Sequence, residues 1–540
     1  MVSACFPLPG VKHGKRILTS VIEARAQDGL NTLPWMSVPI DNQDLSRGYQ
    51  DITFQQLNNA ANHAARWLCQ NLPASTEPFQ CFAYAGPKDV RYAILAVAAA
   101  KLQKVMVLPS PLITTEAQLL ILAKKNCTVY LRPQSMTAAV AAILQNAPHV
   151  QSITVPEPAE FLLDATAEPT TYAKMWEEGK DDPWLVFHTS GTTGNPKPIT
   201  YTHQMMASVD IAASLSGIEE THIHQYSLRR WYTPLPSLHF VGMVMSLAMT
   251  AFLHMTAVTG PPGNHPPDLI AEILQVGHVD GALLPPSLIE SLALFPAGVS
   301  ALQNLSYLHY AGAPLSTQTG NLLSAHTRVV PCIGSTEAGG YFTVIHADAA
   351  WSYISFQSAA GASFEHRMNG LHELVFIRRP ECAMQQIFYV YGDRDCFETG
   401  DLWVRNEIYP DRWRIVGRSD DYVCLSHGDG LHASLLEMEI AEHPEVKAAL
   451  VGGDGRAQPV LTVELVGGKR ADAETEEALV ESLQPYIDKV NAHCHESVRL
   501  SLKRLIFATK EKPFIVTVKG SVARLPTLAL YEDEVAALFA

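Results

Sequence analysis

The strongest constraint on the fold is an alternation that runs from Cys81 to Pro331. Short apolar runs of strand length recur between segments with helical spacing of their apolar residues. A strand at 81–84, a helix over 88–102 and a strand at 105–108 make one unit. A helix over 116–125, a strand at 128–131, a helix over 136–145 and a strand at 153–155 continue it. Further on come helices over 204–216, 242–254, 269–276 and 287–294, with strands at 281–284, 307–310 and 328–331. Strands joined through helices cannot close as hairpins, so they pair in parallel and are covered on both faces. The expected fold is therefore α/β. A large N-terminal region holds stacked, mostly parallel sheets flanked by helices.

A helix near 17–28, a strand at 51–54 and an amphipathic helix over 55–72 precede this region. After about Ala350 the texture changes to short alternating strands at 353–356, 372–376, 402–404 and 413–416, which predict a β-rich subdomain. From Asp420 a small α+β unit follows, with a helix over 435–441, strands at 446–451, 460–465 and 504–507, and helices over 472–483 and 530–538. A chain of 540 residues exceeds a single core. The expected division is 1–417 and 418–540.

Inside the first region lies Leu185-Val-Phe-His-Thr-Ser-Gly-Thr-Thr-Gly-Asn-Pro-Lys-Pro198. A buried strand there runs into a loop built to grip phosphate. Gly191 and Gly194 let backbone amides approach an anion closely. Thr189, Ser190, Thr192 and Thr193 add hydroxyls, and Lys197 adds a positive charge. The same composition also suits an ordinary surface loop, and the spacing of a Walker loop is absent. Later stretches carry further chemistry. Gly334-Ser-Thr-Glu-Ala-Gly-Gly340 sets a hydroxyl beside a carboxylate at a strand end, which suits a magnesium–nucleotide or, equally, a helix N-cap. Thr399-Gly-Asp401 offers a carboxylate for two ribose hydroxyls, or is a plain turn. Gly417-Arg-Ser-Asp-Asp421 sits where the β-rich region meets the last unit, as a salt cluster or a hinge. Val518-Lys-Gly520 places a lysine in a glycine-flexed loop.

The formal net charge of -15 argues against non-specific nucleic-acid binding. Nine cysteines without a C-x-x-C pair suit free thiols in a reducing compartment. The His493-Cys-His495 cluster lacks distant partners for a zinc site. The N-terminus has no secretory pattern. The apolar run 241–258 is broken by polar residues, which favours a core helix over a membrane span. A cytoplasmic protein without a membrane partner is expected.

Taken in order, these stretches resemble the adenylate-forming superfamily of acyl-CoA synthetases, luciferase and adenylation domains of non-ribosomal peptide synthetases. The resemblance runs from about Ile17 to the end. Glu398-Thr-Gly-Asp-Leu-Trp403, Trp413-Arg-Ile-Val-Gly-Arg-Ser-Asp-Asp421, Gly453-Asp-Gly-Arg456 and Lys512-Pro-Phe514 are similar to fungal synthetase-like adenylation domains of carboxylic acid reductases related to aminoadipate reductase. In that group a carrier domain and a reductase follow. No carrier or reductase pattern follows here, which leaves a stand-alone enzyme or one domain of a longer polypeptide.

The resemblance implies attack of a carboxylate on the α-phosphorus of ATP, giving an acyl-adenylate and pyrophosphate, then transfer to a pantetheine thiol. It assigns Thr189, Ser190, Gly191, Thr192, Thr193, Gly194 and Lys197 to the leaving phosphates. Ser335 and Thr336 go to the substrate and α-phosphate, and Glu337 to Mg2+. Gly312, Ala313 and Pro314 lie along adenine, Asp401 takes the ribose hydroxyls, and Arg418 supports the ribose or phosphate. Lys519 bridges carboxylate and phosphate, and His239 gates the acid pocket. Asp420 matches the hinge, and 426–430 the loop that faces the thiol. Ile333 stands where many relatives have an aromatic, and Asp429 where many have another residue after glycine. No Asp or Glu lies between Glu220 and Asp268, which argues against an α-amino acid as substrate. Trp231 and Tyr232 suit either core packing or cation–π contact with a quaternary ammonium acid. The thiol acceptor is a carrier domain, in cis or in trans, with free CoA as the alternative. A catalytically inactive binding module is a third reading.

Overall fold

The computed structural model describes residues 10–28, 33–111, 113–163, 165–189, 196–215, 220–346, 350–367, 370–379, 384–427, 429–468, 473–492, 494–516 and 522–539. Strands β1 (Met36–Pro39), β2 (Tyr49–Ile52), β3 (Cys81–Tyr84), β4 (Val105–Val107), β5 (Val129–Arg132), β6 (Gln151–Thr154), β7 (Pro183–His188) and β8 (Pro198–Thr202) come first. Next come β9 (Arg230–Tyr232), β10 (Thr256–Val258), β11 (Gly281–Leu284), β12 (Tyr307–Tyr310) and β13 (Arg328–Pro331). They form a seven-stranded sheet, β13-β12-β11-β9-β10-β1-β2, and a six-stranded sheet, β6-β5-β3-β4-β7-β8. Every pairing is parallel except those of the edge strands β2 and β8. Each edge strand follows its neighbour through a short connection, which permits only an antiparallel return.

The sheets are held apart by helices without a polar face. Every residue of helix Arg91–Lys101 is buried, and its alanines let neighbouring backbones approach closely. Trp184 on β7 donates its indole N–H to the Ala96 carbonyl at 2.7 Å, and Trp35 donates to the Ser246 carbonyl at 2.7 Å. Such pairing satisfies the one polar atom of a buried indole.

Several boundaries differ from expectation for identifiable reasons. The expected strand at 51–54 ends at Ile52, because Thr53 and Gln56 form a reciprocal capping box that starts helix Phe54–Asn71. The expected helix over 242–254 is instead Phe240–Met243, a π-helical turn Val244–Ala248, and Met249–Leu253. It stops at His254 in the left-handed conformation, φ 55°, and the chain re-enters the sheet as β10. The apolar run 241–258 is thus core helix plus strand. Among the described residues no helix is long and apolar enough to cross a membrane. The helix expected over 204–216 is interrupted at Ala207; the final helix expected over 530–538 is Glu532–Ala537, preceded by an unexpected helix, Arg524–Leu530.

The β-rich region is a four-stranded antiparallel sheet of Ala362–His366, Leu371–Ile377, Cys396–Arg405 and Trp413–Arg418. Phe364 stacks on Trp413 at 3.8 Å, with fully buried Trp403 against Phe364. The last unit pairs Val446–Gly452, Val460–Leu465 and Leu505–Phe507 against helices Ala433–Ile440 and Ala473–Asn491, around its own apolar core.

Burial holds His203, His222 and His254 neutral, each lowered to about 4. In the unfolded chain a histidine titrates near 6.5. The unfolded state therefore binds more protons below that value, and stability falls with pH. We expect the urea midpoint to drop steadily from about pH 7 toward pH 5. A flat profile would mean these rings are hydrated in the fold.

Candidate active site

The candidate residues sit where strands of the two sheets end. After β7, His188 fixes the start of the Ser/Thr/Gly loop. Its Nε2 accepts the Ser110 N–H at 3.0 Å, so Nδ1 carries the proton and donates to the Thr189 carbonyl at 3.2 Å. Burial lowers the affinity of this ring for a second proton. The loop closes at its base, where the Thr189 N–H donates to the Lys197 carbonyl at 3.1 Å and Thr189 Oγ1 accepts the Lys197 N–H at 3.4 Å. The Lys197 side chain is exposed. Ser190, Gly191, Thr192, Thr193 and Gly194 lie outside the described residues, as does Lys519. The base of the Lys519 loop is described. The Ala523 N–H donates to the Ile515 carbonyl at 2.7 Å, and Val516 pairs with Val522.

From β13 the chain enters the Gly334–Gly340 turn. It is a two-residue antiparallel pairing, Gly334 with Gly340 and Ser335 with Gly339, and not a helix cap. Glycine is needed there because a Cβ on Gly334 would lie 2.3 Å from the Gly339 carbonyl oxygen. Ser335 Oγ accepts the Ala338 N–H at 3.0 Å, tightening the turn. The Thr336 carbonyl accepts the Tyr201 hydroxyl at 2.9 Å. Tyr201 lies on β8 of the six-stranded sheet, so this bond ties the strand after the Ser/Thr/Gly loop to the Thr336–Glu337 turn. The half-buried Glu337 carboxylate has no cation against it among the described residues. Its charge is felt by Tyr201, Tyr341 and Tyr391, whose hydroxyls it helps hold protonated after burial, the larger cause.

Asp401 is reached from the other side. Its Oδ1 accepts Arg418 Nη1 at 2.9 Å, its register partner across the four-stranded sheet. Its Oδ2 accepts the Tyr341 hydroxyl at 3.4 Å, and Ser335 lies beside that hydroxyl. Tyr341 therefore joins the Ser335–Glu337 turn to the Asp401–Arg418 pair. Gly400 takes φ 74°, in the left-handed region, and donates its N–H to Glu373 Oε1 at 2.9 Å. That turn aims Asp401 at Arg418 and Tyr341.

Gly312 has φ 99° and, with Ala313 and Pro314, forms an open bend after β12. His239 is half-buried at the start of helix Phe240–Met243, its N–H donating to the Pro236 carbonyl at 3.0 Å. Trp231 and Tyr232 are 1% and 0% exposed and pack in the core, in keeping with the packing reading of these two rings. Lys512 pairs with Glu534 at 2.5 Å and belongs to the packing of the C-terminal helices.

Sequence reasoning missed Tyr201, Tyr341, Ser110 and the supporting role of His188. Tyr341 directly follows the glycine turn and Tyr201 lies on a strand of alternating burial, but neither position reveals a partner distant in sequence.

The family model described as "AMP-binding enzyme" matches residues 36–362, and the one described as "AMP-binding enzyme C-terminal domain" matches 420–540. A carboxylic acid reductase of Neurospora crassa is 29% identical over 536 residues, covering 97% of this chain and 50% of that protein. An isocyanide synthase-NRPS hybrid, crmA, of Aspergillus fumigatus is 27% identical over 533 residues, covering 97% of this chain and 33% of that protein. The chain thus spans half or less of the length of these two relatives. An anthranilate CoA ligase, AuaEII, solved with anthranoyl-AMP, superposes with a TM-score of 0.74 over 98% of each chain at 15% identity, which shows the shared fold. Alongside the parallel sheets, the glycine turn and the Asp401–Arg418 pair, these matches show that the chain belongs to the AMP-binding enzyme family.

Proposed function

We propose that the protein activates a carboxylic acid with ATP, giving an acyl-adenylate and pyrophosphate, and passes the acyl group to a pantetheine thiol. The observation that supports this most is the joining of three distant stretches through Tyr201 and Tyr341. The phosphate loop, the Ser335–Glu337 turn and the Asp401–Arg418 pair are drawn to one place. Catalysis of phosphoryl chemistry rests mainly on positioning and charge neutralisation. In this reading Thr189 through Lys197 hold the departing pyrophosphate, Thr336 the α-phosphate, and Asp401 with Arg418 the ribose. Gly312 through Pro314 border the adenine, with Ile333 giving dispersive contact. Glu337, a carboxylate without a cation of its own, is a fitting hard-oxygen ligand for Mg2+, which would neutralise phosphate charge. Lys519 would sit between acid and α-phosphate.

We assign residues 1–417 to nucleotide and acid binding and 418–540 to a mobile unit that turns near Asp420. The Asp429 carbonyl accepts the Leu425 N–H at 2.8 Å, and the Arg456 carbonyl accepts the Ser426 N–H at 2.8 Å. The thiol-facing loop therefore has a firm base. The acid is not an α-amino acid, because the segment from Thr221 to Pro267 offers no carboxylate for an ammonium. His239 is the proposed gate of its pocket. The similarity to a carboxylic acid reductase and an NRPS hybrid favours a carrier domain over free CoA as acceptor.

In ATP–pyrophosphate exchange with a panel of carboxylic acids, at least one aryl, keto or aliphatic acid should support exchange and α-amino acids should not. Lys519→Ala should lower exchange by about 10²-fold or more, the worth of a charge placed at the transition state. Unchanged exchange would remove Lys519 from the chemistry. Tyr341→Phe should raise KM for ATP about tenfold with a smaller change in kcat, since one hydrogen bond to a charged acceptor is lost. An unaltered KM would show that the hydroxyl does not position Asp401.

A further inference from the structure

A second meeting point of the two sheets holds a cavity apart from the proposed nucleotide-facing residues. A cavity of about 520 Å³ opens at the ends of β1, β9 and β10, next to the segment that follows β3. Its walls include Met36, Val38, Leu235 and Met245, and none of the proposed nucleotide-facing residues lines it. Lys88 enters this space from the six-stranded sheet, its Nζ donating to the Thr233 carbonyl beyond β9.

No carboxylate lies within ion-pair distance of Lys88 among the described residues. The two acids of the lining are engaged elsewhere. Asp89 is bound by Arg91 at 2.6 Å, and Asp51 by Arg230 at 3.5 Å. The nearest other titratable groups are Tyr232 and His265. Tyr232 shares a 2.7 Å hydrogen bond with His265 Nδ1, whose Nε2 donates to the Pro261 carbonyl at 2.7 Å. Buried cations are paired or shed their proton, because desolvation penalises the charge. Here burial lowers the amine to about 7.

We propose that this cavity is a binding site for a small carboxylate, held by an ion pair to Lys88 with its apolar body along Met36, Val38, Leu235 and Met245. One cation flanked by two acids suits a single carboxylate group and disfavours phosphates. The volume accommodates a ligand of small-molecule size. The carboxylate comes either from a separate acid or from a second acid group on the activated substrate.

The test is calorimetric titration of the whole chain, without ATP, using linear dicarboxylates from succinate to sebacate and matched monocarboxylates. Runs at about pH 8 in two buffers of different ionisation enthalpy count protons. At least one acid should bind with close to one proton taken up, because the ion pair recharges Lys88. Lys88→Met should lose binding at least tenfold, and Lys88→Arg should keep it without proton uptake. That second variant decides the matter should the first fold poorly. Equal binding by Lys88→Met, proton uptake persisting in Lys88→Arg, or no binding by the wild type at millimolar concentration would overturn the proposal. ATP–pyrophosphate exchange with the same acid tells the two sources apart. An acid that binds but supports no exchange is a separate ligand, and one that does both is the substrate. Because binding is measured without ATP, its failure leaves the adenylation reading standing.

Discussion

Two hydrogen bonds between the sheets carry much of the functional geometry. Tyr201, at the antiparallel edge of one sheet, holds the Thr336 carbonyl beyond the last strand of the other. Lys88, after β3, holds the Thr233 carbonyl beyond β9. The Lys88 bond arises because parallel strands deliver all their following loops to one side, where open α/β sheets bind ligands, whereas Tyr201 reaches across from within β8, opposite Leu185 of β7. Helix Arg91–Lys101, buried along its whole length and rich in alanine between its two charged ends, lets the sheets come close enough for single side chains to span them. A bulky polar residue there would have to be accommodated by separating the sheets.

The Tyr341 cluster shows how the β-rich region is tied in. Asp401 and Arg418 are register partners, so the antiparallel ladder itself brings carboxylate and guanidinium together. Tyr341 then links that pair to the glycine turn. The Arg418 N–H donates to Asp421 Oδ2 at 3.1 Å, and Asp421 Oδ1 lies 3.8 Å from Arg524 Nε. Arg524 in turn holds Glu437, whose carboxyl is raised first by burial and partly restored by Arg524. Charge alternation thus runs from Asp401 into the last unit. A change at Arg418 would be felt on both sides of the proposed hinge.

Much of this was legible in the sequence. Strands such as 81–84, 281–284, 307–310 and 328–331 have the bounds the sequence predicts, because short, mostly apolar runs between helical segments have few other uses. The three-residue strands Arg230–Tyr232 and Thr256–Val258 were not legible, since Arg230 and Thr256 break the apolar signal and parallel neighbours impose the conformation from outside. The π-turn at Val244–Ala248 left no periodicity of its own. In the site, side chains with obvious chemistry such as Glu337, Asp401 and Arg418 were visible, whereas Tyr201 and Tyr341 were not. Their roles exist only through partners 135 and 60 residues away. Lys88 read as an ordinary helix-start lysine, because burial without a counter-charge is a property of the fold.

The central claim is that a carboxylate oxygen attacks the α-phosphorus of ATP. It is tested most directly with an acid from the exchange panel carrying ¹⁸O in its carboxylate, followed by mass analysis of the AMP released after thiol transfer. The account predicts AMP that retains one ¹⁸O, because the bridging oxygen of the adenylate comes from the acid and stays on phosphorus. AMP without label, or label appearing in phosphate or pyrophosphate, would contradict it.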